Sequence, residues 1–392
     1  MKKSQQSMRI LHLSDIHIKN DRMFLIEFDR RVKSLLDDVE KNFDEIDCLV
    51  ISGDLTYYGH VDEFELLHTH LIDVLCRRLY INKKKILLVP GNHDINRTAV
   101  SESEKNGLKT TILNTEKASD YICHEWIQKY SQNYWAYIDK NFRWVRDSED
   151  PYFSTCIDFQ GIKIGFSCLN TAWGCLDDST YKKIFLSHKQ VSQQISAVND
   201  SSIKIAIMHH GFDWLHPDEN EKCIISDIKS NYDIILSGHV HQDVSAHEIT
   251  PNSDTVNFTG MAFFEGKIAG EEGYNIYDIN YIDSKIIAFY RKYIRRRTTY
   301  GKNIEHADDG QCQFPLRKQT LPVVAQKHLA IQHLGTAVSS RLQSQLTSIQ
   351  GISNPIFVSP CGSPQKLDNL NPCKRPCKLT QRQGELHNEE KL

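Results

Sequence analysis

The sequence predicts an α/β protein on three observations. From Met8 to Val89, short apolar runs alternate with amphipathic stretches in the order strand, helix, strand, helix, strand. The run Asp47 to Ser52 is apolar almost without interruption, as in a strand buried on both faces. Each apolar run ends in Asp, Asn or His beside Gly or Ser, and in open α/β sheets functional groups gather outside the carboxyl ends of the strands.

Met8 to Leu13 reads as a strand that delivers Ser14-Asp15-Ile16-His17 to its end. Phe28, Val32, Leu35, Leu36 and Val39 recur at helical spacing among charged residues, which predicts an amphipathic helix covering a sheet face. The buried strand that follows ends in Gly53-Asp54. Phe64, Leu67, Leu71, Val74 and Leu75 mark a second helix, and Lys85 to Val89 a third strand ending in Pro90-Gly91-Asn92-His93-Asp94. From Ile95 to about residue 150 the chain is polar and rich in aromatics (Tyr121, Trp126, Tyr130, Tyr134, Trp135, Tyr137, Phe142, Trp144). It reads as a helical insertion packed over or beside the site, the aromatics forming a small core of their own. Strands are expected at Tyr152 to Phe159, Gly161 to Cys168, Ile203 to Met208 and Tyr232 to Leu236, with a helix over Ser187 to Val198. The runs Val256 to Phe258, Tyr274 to Ile279 and Lys285 to Tyr290 read as further strands of a second sheet packed on the first. The globular pattern ends near Arg297, so residues 1–297 are expected to form the main domain. Residues 298–392 read as a C-terminal extension, helical over about Val323 to Gln350 and disordered in its Pro-, Lys-, Gln- and Asn-rich tail. Cys361, Cys373 and Cys377 lack a fourth ligand for a zinc site.

Composition narrows the class. A chain of 392 residues with 40% hydrophobic content can bury one large core, and a formal net charge of -3 gives no global pull toward nucleic acid or membrane. The basic run Arg291 to Arg297 is a local exception. Met1 to Ile10 has no apolar stretch of signal-peptide length, and no run approaches the roughly 18 apolar residues of a membrane span. The cytoplasm is therefore the expected compartment, with no membrane partner. The 11 cysteines follow no framework spacing, and no structural disulfide is expected.

The chemistry sits at the strand ends. Asp15, His17, Asp54, Asn92, His209 with His210, and the pair His239 and His241 in Ser237-Gly238-His239-Val240-His241 are candidate metal ligands. Carboxylate plus imidazole without thiolate suits manganese, iron or zinc. Two divalent cations roughly 3.5–4 Å apart can share a bridging carboxylate, hold a bridging hydroxide as nucleophile and clamp a phosphoester. Asp54, between the other candidates in chain order, is the natural bridge. Each short motif alone is compatible with an ordinary turn; their joint order at successive strand ends is what points to a two-metal hydrolase. His12, His60, His68, His70, His188, His216 and His247 stand outside any motif and read as ordinary surface or core histidines. The stretch Gly260 to Gly270 fails the spacing of a phosphate-binding loop.

Taken together, Ser14-Asp15-Ile16-His17, Gly53-Asp54, Gly91-Asn92-His93-Asp94, His209-His210 and Gly238-His239-Val240-His241 resemble the five blocks of the calcineurin-like metallophosphoesterase superfamily, over about residues 8 to 290. The resemblance implies a four-layer α/β/β/α sandwich of two mixed sheets flanked by helices. It assigns Asp15, His17 and His241 to one metal, Asn92, His209 and His239 to the other, and Asp54 to both. It gives His93 a place beside the substrate, stabilising charge or protonating the leaving alkoxide. Gly211 replaces the proline of the family's His-x-Pro form, and His210 is then expected to face substrate or support the ligands. Arg97 is a candidate phosphate contact. Leu55-Thr56-Tyr57-Tyr58-Gly59 stands where the family's protein phosphatases carry a phosphate-gripping arginine, which turns the expectation toward the bacterial-type branch of phosphodiesterases and nucleases. The expected function is di-metal hydrolysis of a phosphodiester, in a nucleotide or nucleic acid. The alternatives are a phosphomonoesterase of small molecules and a regulated effector or scaffold module of a larger signalling or defence system. Residues 339–360 faintly resemble the connector behind effector domains in P-loop signalling proteins, so the extension is where a regulatory partner would be expected.

Overall fold

The computed structural model describes residues 3, 7–142, 149–177, 179–265 and 271–317. The expected C-terminal helix and tail, the three late cysteines, the connector-like stretch, Gly266 to Gly270, Trp144 and the side chain of Trp126 lie outside the described residues.

In chain order the first half comprises β1 (Ser7–Leu13), α1 (Arg22–Asn42), β2 (Cys48–Ile51), α2 (Val61–Leu67), α3 (Asp73–Leu79), β3 (Ile86–Leu88), α4 (Glu102–Thr111), α5 (Thr115–Tyr121) and α6 (Glu125–Asn141). The second half comprises β4 (Phe153–Phe159), β5 (Ile162–Cys168), α7 (His188–Ala197), β6 (Ile203–Ile207), α8 (Pro217–Glu221), α9 (Ile224–Asn231), β7 (Ile234–Ser237), β8 (Val244–Thr250), β9 (Ser253–Thr259), β10 (Gly273–Asn280), β11 (Lys285–Ile294), β12 (Thr299–Lys302) and β13 (Gln311–Pro315). They form two mixed sheets. One runs β12-β11-β10-β1-β2-β3, with β13 sharing the edge of β11; the other runs β4-β5-β6-β7-β9-β8. Ile10, Leu49 and Leu87 of the first sheet join Ile164, Ile205 and Leu236 of the second in one buried cluster, the layer between the sheets. Helices cover the outer faces: α1 lies against β12, α7 against β4 and β5, and α9 against β9. The four-layer arrangement is as the sequence predicts.

The helix-period residues behave as their spacing requires. Asp21 caps α1 by accepting the Phe24 N–H, and Phe28, Val32, Leu35, Leu36 and Val39 are all buried on its inner face. Between α2 and α3 the chain widens into a π turn, His68–Ile72, which leaves Leu67, Leu71 and Leu75 buried and Val74 only partly so.

Three expectations are corrected. Tyr274 to Ile279 and Lys285 to Tyr290 belong to the first sheet: β10 pairs antiparallel with β1, and β11 with β10. An apolar run shows that a strand is buried, not which neighbour it pairs with. The sheet also continues past residue 297, because β12 and β13 pair with β11 and close its outer edge. The insertion is helical as expected, but its aromatics divide. Tyr130 packs in a local cluster with Ile127 and Trp173, whereas Tyr134, Trp135, Tyr137 and Phe142 join the main core, Tyr134 donating to the Leu88 carbonyl at 3.0 Å.

Eight cysteines among the described residues are free thiols, and no helix among them is long and apolar enough to cross a membrane.

The insertion is tied down by one buried acid. Glu219 of α8 is fully buried, accepting the Thr115 hydroxyl of α5 and, at 3.4 Å, the N–H of Ser187 before α7. Burial carries its carboxyl up from 4.5 to about 7, against the hydrogen bonds that would lower it. Between those two values the folded chain keeps a proton that the unfolded chain has lost. The stability Glu219 contributes is therefore full below pH 4.5 and declines as pH rises to about 7. Chemical denaturation of Glu219→Gln beside the wild type should show the variant gaining roughly 1–3 kcal/mol relative to wild type between pH 5 and 7.5. A difference that stays constant with pH would mean that this acid is ionised throughout.

Candidate metal centre

Five strand ends converge where the two sheets meet. Asp15 and His17 follow β1, Asp54 follows β2, and Asn92 with His93 follows β3; His209 follows β6, and His239 with His241 follows β7. The backbone there is unusual. Asp15, His17, Asp54, His239 and His241 all have positive φ, between 49° and 71°. Such values are uncommon for residues other than glycine and persist only where surrounding contacts enforce them. Asp15 N–H bonds the Gly53 carbonyl at 3.0 Å, His17 N–H the Asp54 carbonyl at 2.9 Å, and Gly238 N–H the His209 carbonyl at 3.0 Å, so the loops brace one another. Two glycines are required by close approach. A Cβ on Gly91 would lie 2.1 Å from Asp54 Oδ1, and one on Gly238 would lie 1.8 Å from Ser14 Oγ and 2.9 Å from Asp15 Oδ2.

The side chains form two overlapping sets. In one, Asp15 Oδ1 lies 3.2 Å from His241 Nε2 and 3.9 Å from His17 Nε2, and His17 Nε2 lies 3.8 Å from Asp54 Oδ2. In the other, His209 Nε2 lies 3.2 Å from Asn92 Oδ1 and 3.2 Å from His239 Nδ1, and the same nitrogen is 3.2 Å from Asp54 Oδ2. One carboxylate oxygen of Asp54 thus faces both sets. Ligand bonds of about 2.0–2.2 Å place neighbouring donor atoms roughly 3–3.5 Å apart around a cation, close to this spacing. Asp15 Oδ1 makes no well-formed hydrogen bond although it is buried, while its partner Oδ2 is held by the Ser14 hydroxyl at 2.5 Å and the His239 N–H at 3.0 Å. A buried carboxylate oxygen left in this way fits a cation.

Outer hydrogen bonds fix which ring nitrogen faces inward. His209 Nδ1 donates to the Ser52 carbonyl at 2.8 Å, His93 Nδ1 donates to the Tyr57 carbonyl at 2.9 Å, and His241 Nδ1 meets the Glu265 carboxylate. In each ring Nε2 is left toward the centre, the arrangement by which second-shell partners orient ligand histidines. His239 instead turns Nδ1 inward.

Electrostatics follow from packing carboxylates among imidazoles. Burial works to raise Asp54, but His209, and then His17 and His93, hold it well below the usual carboxylate range. Burial likewise opposes ionisation of Asp15, which His241 and His209 nevertheless carry down to about 2. In return, and against burial, Asp54 and Asp15 raise His209 to about 9, and Asp15 with Glu265 raises His241 to about 9. Burial keeps His17 and His239 neutral, each lowered to about 4. The two carboxylates therefore demand positive charge, which protons on His209 and His241 supply in the absence of a cation.

All seven residues expected as ligands come together, with His93 beside them, its ring 4.7 Å from that of His17 and its N–H donating to Asp54 Oδ1 at 2.8 Å. Of the two places expected for His210, the structure fits the supporting one. It is fully buried; its Nδ1 accepts the Thr171 hydroxyl at 2.9 Å and its Nε2 donates to Asn92 Oδ1 at 3.1 Å, so that it orients the Asn92 amide. Arg97 is half-buried beside the centre, Nη2 3.5 Å from the Asn92 carbonyl.

The sequence reading gave no role to the groups that hold the ligands. Asp94 accepts the N–H groups of Gly91, Leu55 and Thr56 and the Thr56 hydroxyl, at 2.8–3.1 Å, clamping the Asp54 turn to the Asn92 loop. Its place in the Gly-Asn-His-Asp block was the available signal. Glu265 has no local signal, because it reaches His241 from the loop after β9.

The fold is thus a two-sheet α/β sandwich whose strand ends assemble a buried carboxylate–imidazole cluster. The calcineurin-like phosphoesterase family matches residues 8–243 of the sequence, and the chain belongs to that family. A curated relative, the uncharacterized metallophosphoesterase-like protein YydB of Bacillus subtilis, is 22% identical over 288 residues, which is 67% of this chain and 54% of the relative. The chain thus spans about half the length of that relative. Among solved structures, a dimetal phosphatase from Danio rerio is similar at TM-score 0.44 and 9% identity, covering 73% of this chain and 96% of that one. The purple acid phosphatase PPD1 from yellow lupin is similar at TM-score 0.44 and 12% identity, covering 73% of this chain and 51% of that one.

The steric reading of Gly238 is testable. Gly238→Ala should keep its circular-dichroism spectrum yet lose most of the metal bound per chain, measured by plasma emission spectroscopy after manganese loading and desalting. Gly174→Ala, where an added Cβ meets nothing within 4 Å, should load as the wild type does. Full loading of the Gly238 variant would sink the close-approach argument.

Proposed function

We propose that this chain is a di-metal phosphodiesterase acting on nucleotides or nucleic acid. The observation that carries the reading is Asp54 Oδ2, 3.2 Å from His209 Nε2 and 3.8 Å from His17 Nε2, a single oxygen shared by two ligand sets. Asp15, His17 and His241 would hold one cation, Asn92, His209 and His239 the other, and Asp54 both. When bound, manganese, iron or zinc ions there supply Lewis acidity toward the phosphoryl oxygens and an activated water.

The protein's own groups do the rest. His93 donates its Nδ1–H to the Tyr57 carbonyl, so Nε2 is the nitrogen free to carry a proton to the leaving oxygen. Its backbone N–H, on Asp54 Oδ1, couples the position of that acid to the bridging carboxylate. His210 holds the Asn92 amide oxygen in place, and Arg97, at the edge of the centre, is the cation proposed to meet a phosphate oxygen. The diester preference draws support from Leu55-Thr56-Tyr57-Tyr58-Gly59, which places aromatic rings rather than a phosphate-gripping arginine after Asp54. Tyr130, Tyr134, Trp135, Tyr137 and Phe142 of the insertion do not support it, since they are buried, and the basic run is largely paired. Arg291 is paired with Asp38, Lys292 with Glu271 and Glu305, and Arg295 with Glu272.

The purified chain with manganese should hydrolyse bis-p-nitrophenyl phosphate faster than p-nitrophenyl phosphate; hydrolysis of the monoester alone would make it a phosphomonoesterase. Asp54→Asn should lose both metals and at least roughly 1,000-fold in kcat. His93→Ala should keep its metals and lose roughly 100- to 10,000-fold. His239→Ala and His241→Ala should each unload one ion preferentially, and equal loss of both ions in each variant would undo the assignment of ligands to two sets.

A further inference from the structure

Two exposed aromatic platforms stand against different histidines of the candidate centre. On the side of His17 and His93, the half-buried Tyr57 ring lies 5.2 Å from His93 and 6.1 Å from His17, and Tyr58, 56% exposed, packs edge-on against it at 4.6 Å. On the side of His239, the half-buried Trp214 ring stands 4.1 Å from that imidazole, and Tyr181, 59% exposed, packs edge-on against it at 5.2 Å. Each platform carries a lysine: Lys19 Nζ is 3.5 Å from the Tyr57 ring centroid and Lys182 Nζ 5.5 Å from that of Tyr181. Val240, between His239 and His241 in sequence, is 40% exposed.

We infer that these platforms stack the two nucleobases on either side of the scissile phosphate, and that the substrate is single-stranded nucleic acid. The inference rests on the diesterase reading of the same centre and adds the strand state to it. A diester bound at the metals sends one nucleoside toward each platform. A base can stack on tyrosine only if its face is free, which pairing inside a duplex denies it. Aromatic faces accept any base, and a lysine beside each one answers the neighbouring phosphates, which is how sequence-tolerant single-strand sites are built. A single exposed tyrosine on a surface needs no explanation. Here, however, two exposed rings each stand one aromatic side chain away from the proposed ligands, at different histidines.

The test is fluorescence anisotropy of the full manganese-loaded chain with labelled twelve-nucleotide oligothymidylate, oligouridylate and a duplex of the same length. Methyl p-nitrophenyl phosphate hydrolysis by the wild type is measured alongside. Tyr58→Ala and Tyr181→Ala should each raise the Kd for a single strand by roughly 5- to 150-fold, the range of one lost base–aromatic stack. Tyr58→Phe and Tyr181→Phe should bind as the wild type does, since stacking needs the ring and not the hydroxyl. Tyr80→Ala, which removes a tyrosine 91% exposed at the end of α3, should change nothing. The DNA or RNA strand with the lower Kd identifies the natural sugar. Unchanged affinity in both alanine variants, or a duplex bound as tightly as the single strand, overturns the inference even if the methyl ester is hydrolysed. Tyrosine-dependent binding without ester hydrolysis would instead support the platforms and overturn the diesterase reading.

Discussion

The Asp54 carboxylate, carried by the first sheet, lies 3.2 Å from His209 Nε2, carried by the second. On that approach the rest of the centre depends. Two buried ionisable groups at such a distance are stable only if charge and hydrogen bonds are satisfied around them. The surrounding bonds are correspondingly dense: His93 N–H on Asp54 Oδ1, the Ser52 carbonyl on His209 Nδ1, and Asp94 gripping the backbone on both sides of the turn. Because Ser52 belongs to the same loop as Asp54, the bond from His209 ties the two sheets together at the point where the charges meet.

The same constraint explains the backbone. Bringing ligands from five strand ends into contact leaves no room for gradual turns, so the chain reverses within single residues, and Asp15, Asp54 and His239 adopt left-handed conformations. Aspartate tolerates that region better than β-branched residues do. The strain is offset by the backbone bonds between loops and by the absence of a Cβ at Gly91 and Gly238, where one would collide with the carboxylates or with Ser14. Short motifs of Gly, Asp, Asn and His are thus the local signature of a nonlocal requirement: polypeptide from both sheets must come within a few ångströms.

That is why the residues proposed as ligands were legible in the sequence while much of their support was not. A strand ending in Gly-Asp or Gly-Asn-His announces itself by composition and position, and seven such residues do meet. Which sheet a buried strand joins depends on pairing across long separations, so Tyr274 to Ile279 read correctly as a strand and wrongly as part of the second sheet. The insertion aromatics were readable as core, yet not as two cores, since Tyr134 and Tyr130 lie on one helix and pack into different clusters. For His210 two places stayed open, facing substrate or supporting the ligands, because adjacency in sequence says nothing of burial; Thr171, from a distant loop, occupies its other nitrogen. Glu265 and Trp214 belong to no motif and are visible only once the loops are folded together.

A chain of net charge -3, with Arg291, Lys292 and Arg295 of its basic run paired to carboxylates, lacks the broad positive field of most polyanion binders. The centre itself supplies a local substitute. With Asp15, Asp54 and the Glu265 carboxylate beside His241 as its acidic groups, two divalent cations would leave it with a local excess of about one positive charge. Such a field would draw a phosphate to the centre, while Lys19 and Lys182 stand at the two aromatic platforms rather than over the whole face. Attraction confined to so small an area suits a flexible strand that presents one phosphate at a time, whereas a rigid duplex would have to bring its many other charges against a chain whose formal net charge is -3.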